Sequence, residues 1–323
     1  MQTFSDRLAA SILDKGSILV VGLDPNIERI PQFLIDRMTS HYGFGPEAVA
    51  RIFLEFNKAI IDATIDYAAA YKPQIAFYEA YGSWGLWAYE HTVQYLRELG
   101  CVVIIDAKRG DGGDTADKYA EGHLGRIAFP ARGGGFERRP GPMRVDCMTV
   151  HGYIGDDCVG RFAKVVKEEG TAIFVVDKTS FKPNSRLEQM RLQNGETVWQ
   201  ALAGLVDEWG AGTEGDCGYR NVGVVMGATY PEDAPWMRRR LPNAWFLIPG
   251  FGAQSGDATS AIVGVNPDGL GGCVNSSRDV IFAYMKGAFT RKPEQFASAA
   301  RDSARASRDA LNGALRSAGK LAA

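Results

Sequence analysis

The segment Asp106-Ala107-Lys108-Arg109-Gly110-Asp111 follows the apolar run Cys101 to Ile105 and carries the densest chemistry in the chain. It reads as a buried strand that ends by presenting carboxylates around an ammonium. Side chains at i and i+2 of a strand point the same way, so Asp106 and Lys108 are expected side by side on one face. Asp111 follows a turn at Gly110 and can fold back towards Lys108. Buried charges are costly unless each has a partner. The cluster is therefore either an ion-pair network capping a strand end or a site built to hold Lys108 protonated. A second chemical signature lies further on. Pro249-Gly250-Phe251-Gly252-Ala253-Gln254 is a glycine-rich turn whose amides can approach an anion, and Ser276-Ser277-Arg278 is expected to open a helix over Asp279 to Phe289. A helix N-terminus and an Arg fork both favour phosphate. Each part could also be turn geometry and an N-cap serine; together they point to a phosphorylated substrate.

These residues need a frame that brings them together. Apolar, β-rich runs recur at Ile18–Leu23, Ala69–Lys72, Val102–Asp106, Cys147–Val150, Ala172–Val176, Val222–Met226, Trp245–Ile248 and Gly272–Val274. Amphipathic stretches separate them, at Pro46–Tyr67, Trp84–Leu99, Thr115–Ile127, Asp156–Glu169, Thr197–Trp209 and Ala234–Arg240. Strands alternating with helices imply a parallel sheet, and eight such units predict a (β/α)8 TIM barrel in a single domain spanning 1–323. An open doubly wound sheet is the alternative, but no GxGxxG follows the first strand. Asp24, Lys72, Asp106, Lys108, His151, Thr179, Ser180, Gln254 and Arg278 all fall where predicted strands end. In a barrel those ends open on one face, where active sites sit.

The formal net charge of -2 gives no polybasic character, so neither nucleic acid nor a membrane surface is an expected partner. No stretch is long and apolar enough to span a bilayer, and Met1–Gly16 reads as an amphipathic helix instead of a signal peptide. The 5 cysteines show no CxxC spacing and the 4 histidines no metal-ligand spacing. A reducing cytoplasmic setting is expected, with no metal site. Ala131–Arg144, rich in Gly, Pro and Arg, reads as an exposed insertion, and Pro293–Ala323 as a closing helix with a frayed end.

From about Val20 to Tyr284 the chain resembles the orotidine 5'-phosphate decarboxylase family, in its subgroup of longer chains. The most specific motif is Asp106-Ala107-Lys108-Arg109-Gly110-Asp111 with Thr115. Supporting segments are Val21-Gly22-Leu23-Asp24-Pro25, Tyr71-Lys72-Pro73, Thr179-Ser180, Val225-Met226-Gly227-Ala228-Thr229 and Ile248-Pro249-Gly250-Phe251-Gly252-Ala253-Gln254. The resemblance implies that Lys108 protonates C6 of the pyrimidine and that Asp106 faces the substrate carboxylate. It implies that Lys72 links Asp106 to the ribose and that Asp24 binds a ribose hydroxyl. Ser180 would contact the base, and Gln254 and Arg278 the phosphate. Asp111 and Thr115 would reach the site of a neighbouring subunit in a homodimer. Substrate and product would be orotidine 5'-phosphate and UMP, in de novo pyrimidine biosynthesis, with no cofactor. The chain departs from the family pattern at Phe181-Lys182, where one residue is usual, at His151-Gly152-Tyr153, which replaces Asn-Pro-Tyr, at Ser255, which replaces a glycine, and in the length of Ala131–Arg144. Two other functions share parts of the pattern. A metal-dependent sugar-phosphate decarboxylase or aldolase of the same barrel superfamily carries Asp-x-Lys-x-x-Asp but places a glutamate where this chain has Lys72. A non-catalytic phosphate-ligand-binding barrel has no use for Lys108 between carboxylates.

Overall fold

The computed structural model describes residues 2–181, 185–252 and 257–321. Its strands are β1 (Leu19–Leu23), β2 (Ala70–Pro73), β3 (Ile104–Arg109), β4 (Ile127–Pro130), β5 (Phe136–Arg139), β6 (Cys147–His151), β7 (Ala172–Lys178), β8 (Arg220–Met226), β9 (Ala244–Ile248) and β10 (Gly272–Ser276). Eight of them form one parallel sheet in the order β2-β1-β10-β9-β8-β7-β6-β3. Parallel bridges Tyr71–Val103 and Gln74–Asp106 join β2 to β3, so the sheet curls into a nearly closed barrel. All eight are the apolar runs expected from the sequence, displaced by a few residues at their ends. Such strands are buried on both faces because helices cover the outside and side chains fill the inside.

The amphipathic stretches form the outer layer, including Pro46–Thr64, Gly82–Glu98, Asp156–Glu169 and Val198–Gly210. The helix Phe4–Lys15 is opened by a Thr3–Asp6 capping box and closed by Gly16 in the left-handed region. It covers the end of the barrel away from the strand carboxyl ends: Ser5 Oγ donates to Arg220 O at 3.1 Å, and Phe4 packs edge-on against Phe174. At the other terminus the helix Phe296–Ser317 buries Ala299, Ala300 and Ala304, small residues that allow close approach, and stacks Phe296 on Phe56.

Two expectations need correction. The helix expected over Thr115–Ile127 ends at His123, and Ile127 instead opens β4, which pairs antiparallel with β5 of the exposed insertion Ala131–Arg144 in a hairpin. Its turn runs through Gly133, Gly134 and Gly135, all at positive φ. β5 is exposed throughout and β4 half-buries only Ile127 and Phe129, while all four β4 residues are apolar, so the sequence shows no apolar–polar alternation there. The helix expected over Asp279–Phe289 is broken into Arg278–Ile281 and two 3-10 turns, Ala283–Met285 and Gly287–Phe289, with Gly287 at positive φ.

Candidate active site

The mouth of the barrel holds a cleft whose lining includes Asp24, Lys72, Asp106, Lys108, Ser180 and Arg278. Its centre is an irregularity in β3. Ile105 pairs with Met148 and Arg109 with Val150, so Asp106, Ala107 and Lys108 stand opposite Thr149 alone. A bulge of this kind leaves amides without ladder partners. Here the Thr149 hydroxyl supplies them: Ala107 N and Lys108 N both donate to Thr149 Oγ1 at 3.0 Å. The hydroxyl in turn donates to Asp106 Oδ1 at 3.0 Å. Lys108 has φ 47, the positive-φ non-glycine among the described residues. A left-handed backbone at a long side chain costs about 1–2 kcal/mol and marks a conformation imposed by its surroundings. The regular i, i+2 alternation expected from the sequence therefore does not hold here. The Lys108 ammonium reaches Asp106 Oδ1 from the bulge.

The other oxygen of Asp106 accepts from Lys72 Nζ at 2.9 Å. Asp24 lies beyond Lys72, and the result is an alternating row, Asp24, Lys72, Asp106, Lys108. Burial alone would lift the Asp106 carboxyl, but the ammoniums of Lys72 and Lys108 outweigh it and hold the group far below the usual carboxylate range. Burial would likewise depress Lys72, yet the carboxylates of Asp106 and Asp24 keep its ammonium above the ordinary lysine value. Burial wins at Asp24, whose carboxyl is raised despite Lys72, the Ser277 hydroxyl and Arg278. Asp24 Oδ1 is buried without a hydrogen-bond partner. A buried acceptor left open in this way fits a hydroxyl donor.

One wall of the cleft is Thr179, Ser180 and Phe181, just beyond β7. Ser180 O accepts from Thr229 Oγ1 at 3.0 Å, and Phe181 O from Tyr230 OH at 2.7 Å. Any Cβ at Gly227 would lie 2.7 Å from Ser180 Cα, so only glycine lets the two loops touch. That contact explains the Val225-Met226-Gly227-Ala228-Thr229 segment physically. The opposite end is formed by Pro249, Gly250, Phe251, Asn275, Ser277 and Arg278. Gly250 adopts φ 100, and a Cβ at Gly22 would sit 1.8 Å from Ser277 Oγ, so glycine lets β1 approach this end. Gln254 lies outside the described residues.

Six of the nine expected site residues thus line one cleft. Asp111 and Thr115 do not line it in their own chain. Both are exposed, and Asp111 Oδ1 accepts from Gly112 N at 2.7 Å instead of folding back to Lys108. The N-cap of the Gly113–His123 helix is Gly112, so neither Thr115 nor Asp114 caps it. Sequence reasoning missed Thr149 and Asn275. Thr149 was detectable as the polar residue inside the apolar run Cys147–Val150. Asn275 Oδ1 is buried without a hydrogen-bond partner beside the Arg278 end, and a polar residue inside β10 was its signal. His151, at the end of β6, has an imidazole depressed by burial and by the positive charge of Lys108. Among the described residues no group of three or more His, Cys, Asp or Glu is placed to hold a metal ion, and no helix is long and apolar enough to cross a membrane. The five cysteines are unpaired.

The chain is similar to known proteins over most of its length. Orotidine 5'-phosphate decarboxylase of Rhodopirellula baltica is 36% identical over 94% of this chain and 94% of its own length. The enzyme of the same name from Clostridium novyi is 37% identical, covering 87% of this chain and 89% of its own. Among solved structures, OMP decarboxylase of Leishmania donovani superposes with a TM-score of 0.68 at 29% identity, over 95% of this chain and 99% of that one. Residues 17–283 match the family profile of Orotidine 5'-phosphate decarboxylase / HUMPS, and with the relatives' identity over nearly the whole length the chain belongs to that family.

Proposed function

We propose that this protein removes CO2 from orotidine 5'-phosphate to give UMP, the decarboxylation step of de novo pyrimidine biosynthesis, using no metal or organic cofactor. The observation that carries this reading is the row Asp24–Lys72–Asp106–Lys108 at the barrel mouth. When the C6–carboxylate bond breaks, its electron pair stays on C6 in the plane of the ring. The pair cannot spread into the π system, so the protein must place fixed charge where charge develops. The Lys108 ammonium stands there; it transfers its proton to C6 and is reprotonated from water. Asp106 holds that ammonium in place through one oxygen, with Lys72 compensating the other. Asp24 accepts from a ribose hydroxyl through its open oxygen, Ser180 contacts the base, and Arg278 with Gln254 binds the phosphate. Phosphate contacts remote from C6 hold the substrate while the chemistry proceeds, so binding energy serves the reacting centre.

The exposed position of Asp111 and Thr115, beyond the cleft of their own chain, supports a homodimer in which each chain completes its partner's site. The family and the free thiols support a cytoplasmic setting. The test is an absorbance assay of orotidine 5'-phosphate turnover after exhaustive chelation. Full activity is expected; activity abolished by EDTA and restored by magnesium would instead favour the metal-dependent sugar-phosphate chemistry of the wider family.

A further inference from the structure

Behind the Ser180 wall, β7 ends in a buried ion cluster that no step of the reaction uses. Lys178 is fully buried. Its Nζ lies 3.5 Å from Glu188 Oε2 and 3.5 Å from Asp233 Oδ2, with the Tyr230 ring centroid 4.5 Å away. Glu188 stands on the short helix Arg186–Gln189, 9 residues beyond Thr179 along the chain. Its other oxygen, Oε1, accepts from Thr179 N at 3.2 Å and from Thr179 Oγ1 at 2.6 Å. One buried carboxylate therefore ties this helix to Thr179 just beyond β7, and the ammonium behind it offsets the cost of burying the charge. Ser180 follows Thr179 directly, and Thr229 fixes its carbonyl from the other side.

We propose that Glu188 is a positioning residue for the base-contacting wall. Through its two bonds to Thr179 it fixes the height at which Ser180 meets the pyrimidine, and Lys178 holds Glu188 in place. The inference rests on the reading of Ser180 as the base contact. It makes a specific demand: loss of Glu188 must weaken ligands that carry a base and spare those that carry only ribose and phosphate.

Calorimetric affinities for UMP and for ribose 5-phosphate test this, after thermal melting has shown each variant to be folded. Ser180→Ala should weaken UMP and leave ribose 5-phosphate unchanged. Glu188→Ala should do the same, with UMP weakened about tenfold, the scale of hydrogen bonds to a charged group. Should Glu188→Ala fail to fold, Thr179→Val decides, because it keeps the Lys178–Glu188 pair and deletes one bond to Glu188. UMP should weaken several-fold in Thr179→Val and recover in Thr179→Ser. Selective loss of UMP in the Glu188 or Thr179 variants supports the proposal. A discriminating Ser180→Ala beside a folded Glu188→Ala, or a Thr179→Val, that weakens both ligands equally or neither would overturn it, since a merely structural role moves the melting temperature without separating the ligands. If Ser180→Ala itself fails to discriminate, the base assignment falls and the positioning role falls with it.

Discussion

Asp106 keeps its negative charge because two ammoniums flank it, and the sign of that effect has a consequence for stability. Its folded pKa is depressed, so its contribution is fully present above the ordinary carboxylate range and is lost only as pH falls through the depressed value. Asp177 is the opposite case. It is buried at the end of β7, neither carboxylate oxygen has a hydrogen-bond partner, and burial reinforced by Glu188 lifts its pKa well above the ordinary value despite Lys178. A raised carboxyl favours the fold at low pH, and that contribution is lost as pH rises from the unfolded carboxylate range through the elevated folded value. Asp177→Val should therefore stabilise the protein at neutral pH, by about 1–3 kcal/mol, and flatten its stability above pH ~4. Chemical denaturation at several pH values checks this; a variant less stable than the parent at pH 7 would contradict it. At the other end of the cleft, Arg278→Ala should weaken orotidine 5'-phosphate by about 1.5–3 kcal/mol, the range for a charge-assisted phosphate contact. Orotidine without phosphate should lose much less, and equal losses for both would place Arg278 outside the phosphate site.

At the scale of elements, the site depends on the β3 bulge, and the bulge depends on Thr149 of the neighbouring strand. Thr149→Val deletes the hydroxyl that serves Ala107 N, Lys108 N and Asp106 together. A buried amide, a part-buried amide and a carboxylate oxygen then lose a partner, at a cost of about 1–3 kcal/mol in stability. Turnover should fall by about tenfold or more as Asp106 and Lys108 lose their fixed relation, and Thr149→Ser should restore most of it. Native turnover in the valine variant would show that the bulge holds without its hydroxyl. This arrangement also marks how far the sequence could be read. The barrel strands were legible because burial on both faces writes continuous apolar runs, and Asp24, Lys72, Asp106, Lys108, Ser180 and Arg278 were legible as polar residues at the ends of those runs. The bulge was not, because a hydroxyl 41 to 42 residues away along the chain sets it and no local pattern encodes that pairing. The β4–β5 hairpin was hidden for another reason: β4 is apolar at every position and β5 is exposed throughout, so neither shows a period of two, and the glycine turn between them looks like plain loop.

At the scale of the whole molecule, the cleft of one chain holds Lys108 and Asp106 but leaves Asp111 and Thr115 outside. Lys108 is also the most exposed member of the charged row, with 41% of its side chain accessible, so its ammonium has room for a further carboxylate. We propose that the Lys108 site is finished by Asp111 of a second copy. Subunit exchange tests it most directly. Lys108→Ala and Asp111→Ala chains, each nearly inactive alone, are mixed and assayed at fixed total protein, with heterodimer formation verified by mass spectrometry. One heterodimer site then carries both defects and the other neither, so activity should return to about half the native level per heterodimer. Verified heterodimers with no recovered activity would place Asp111 in the site of its own chain and contradict a site shared between copies.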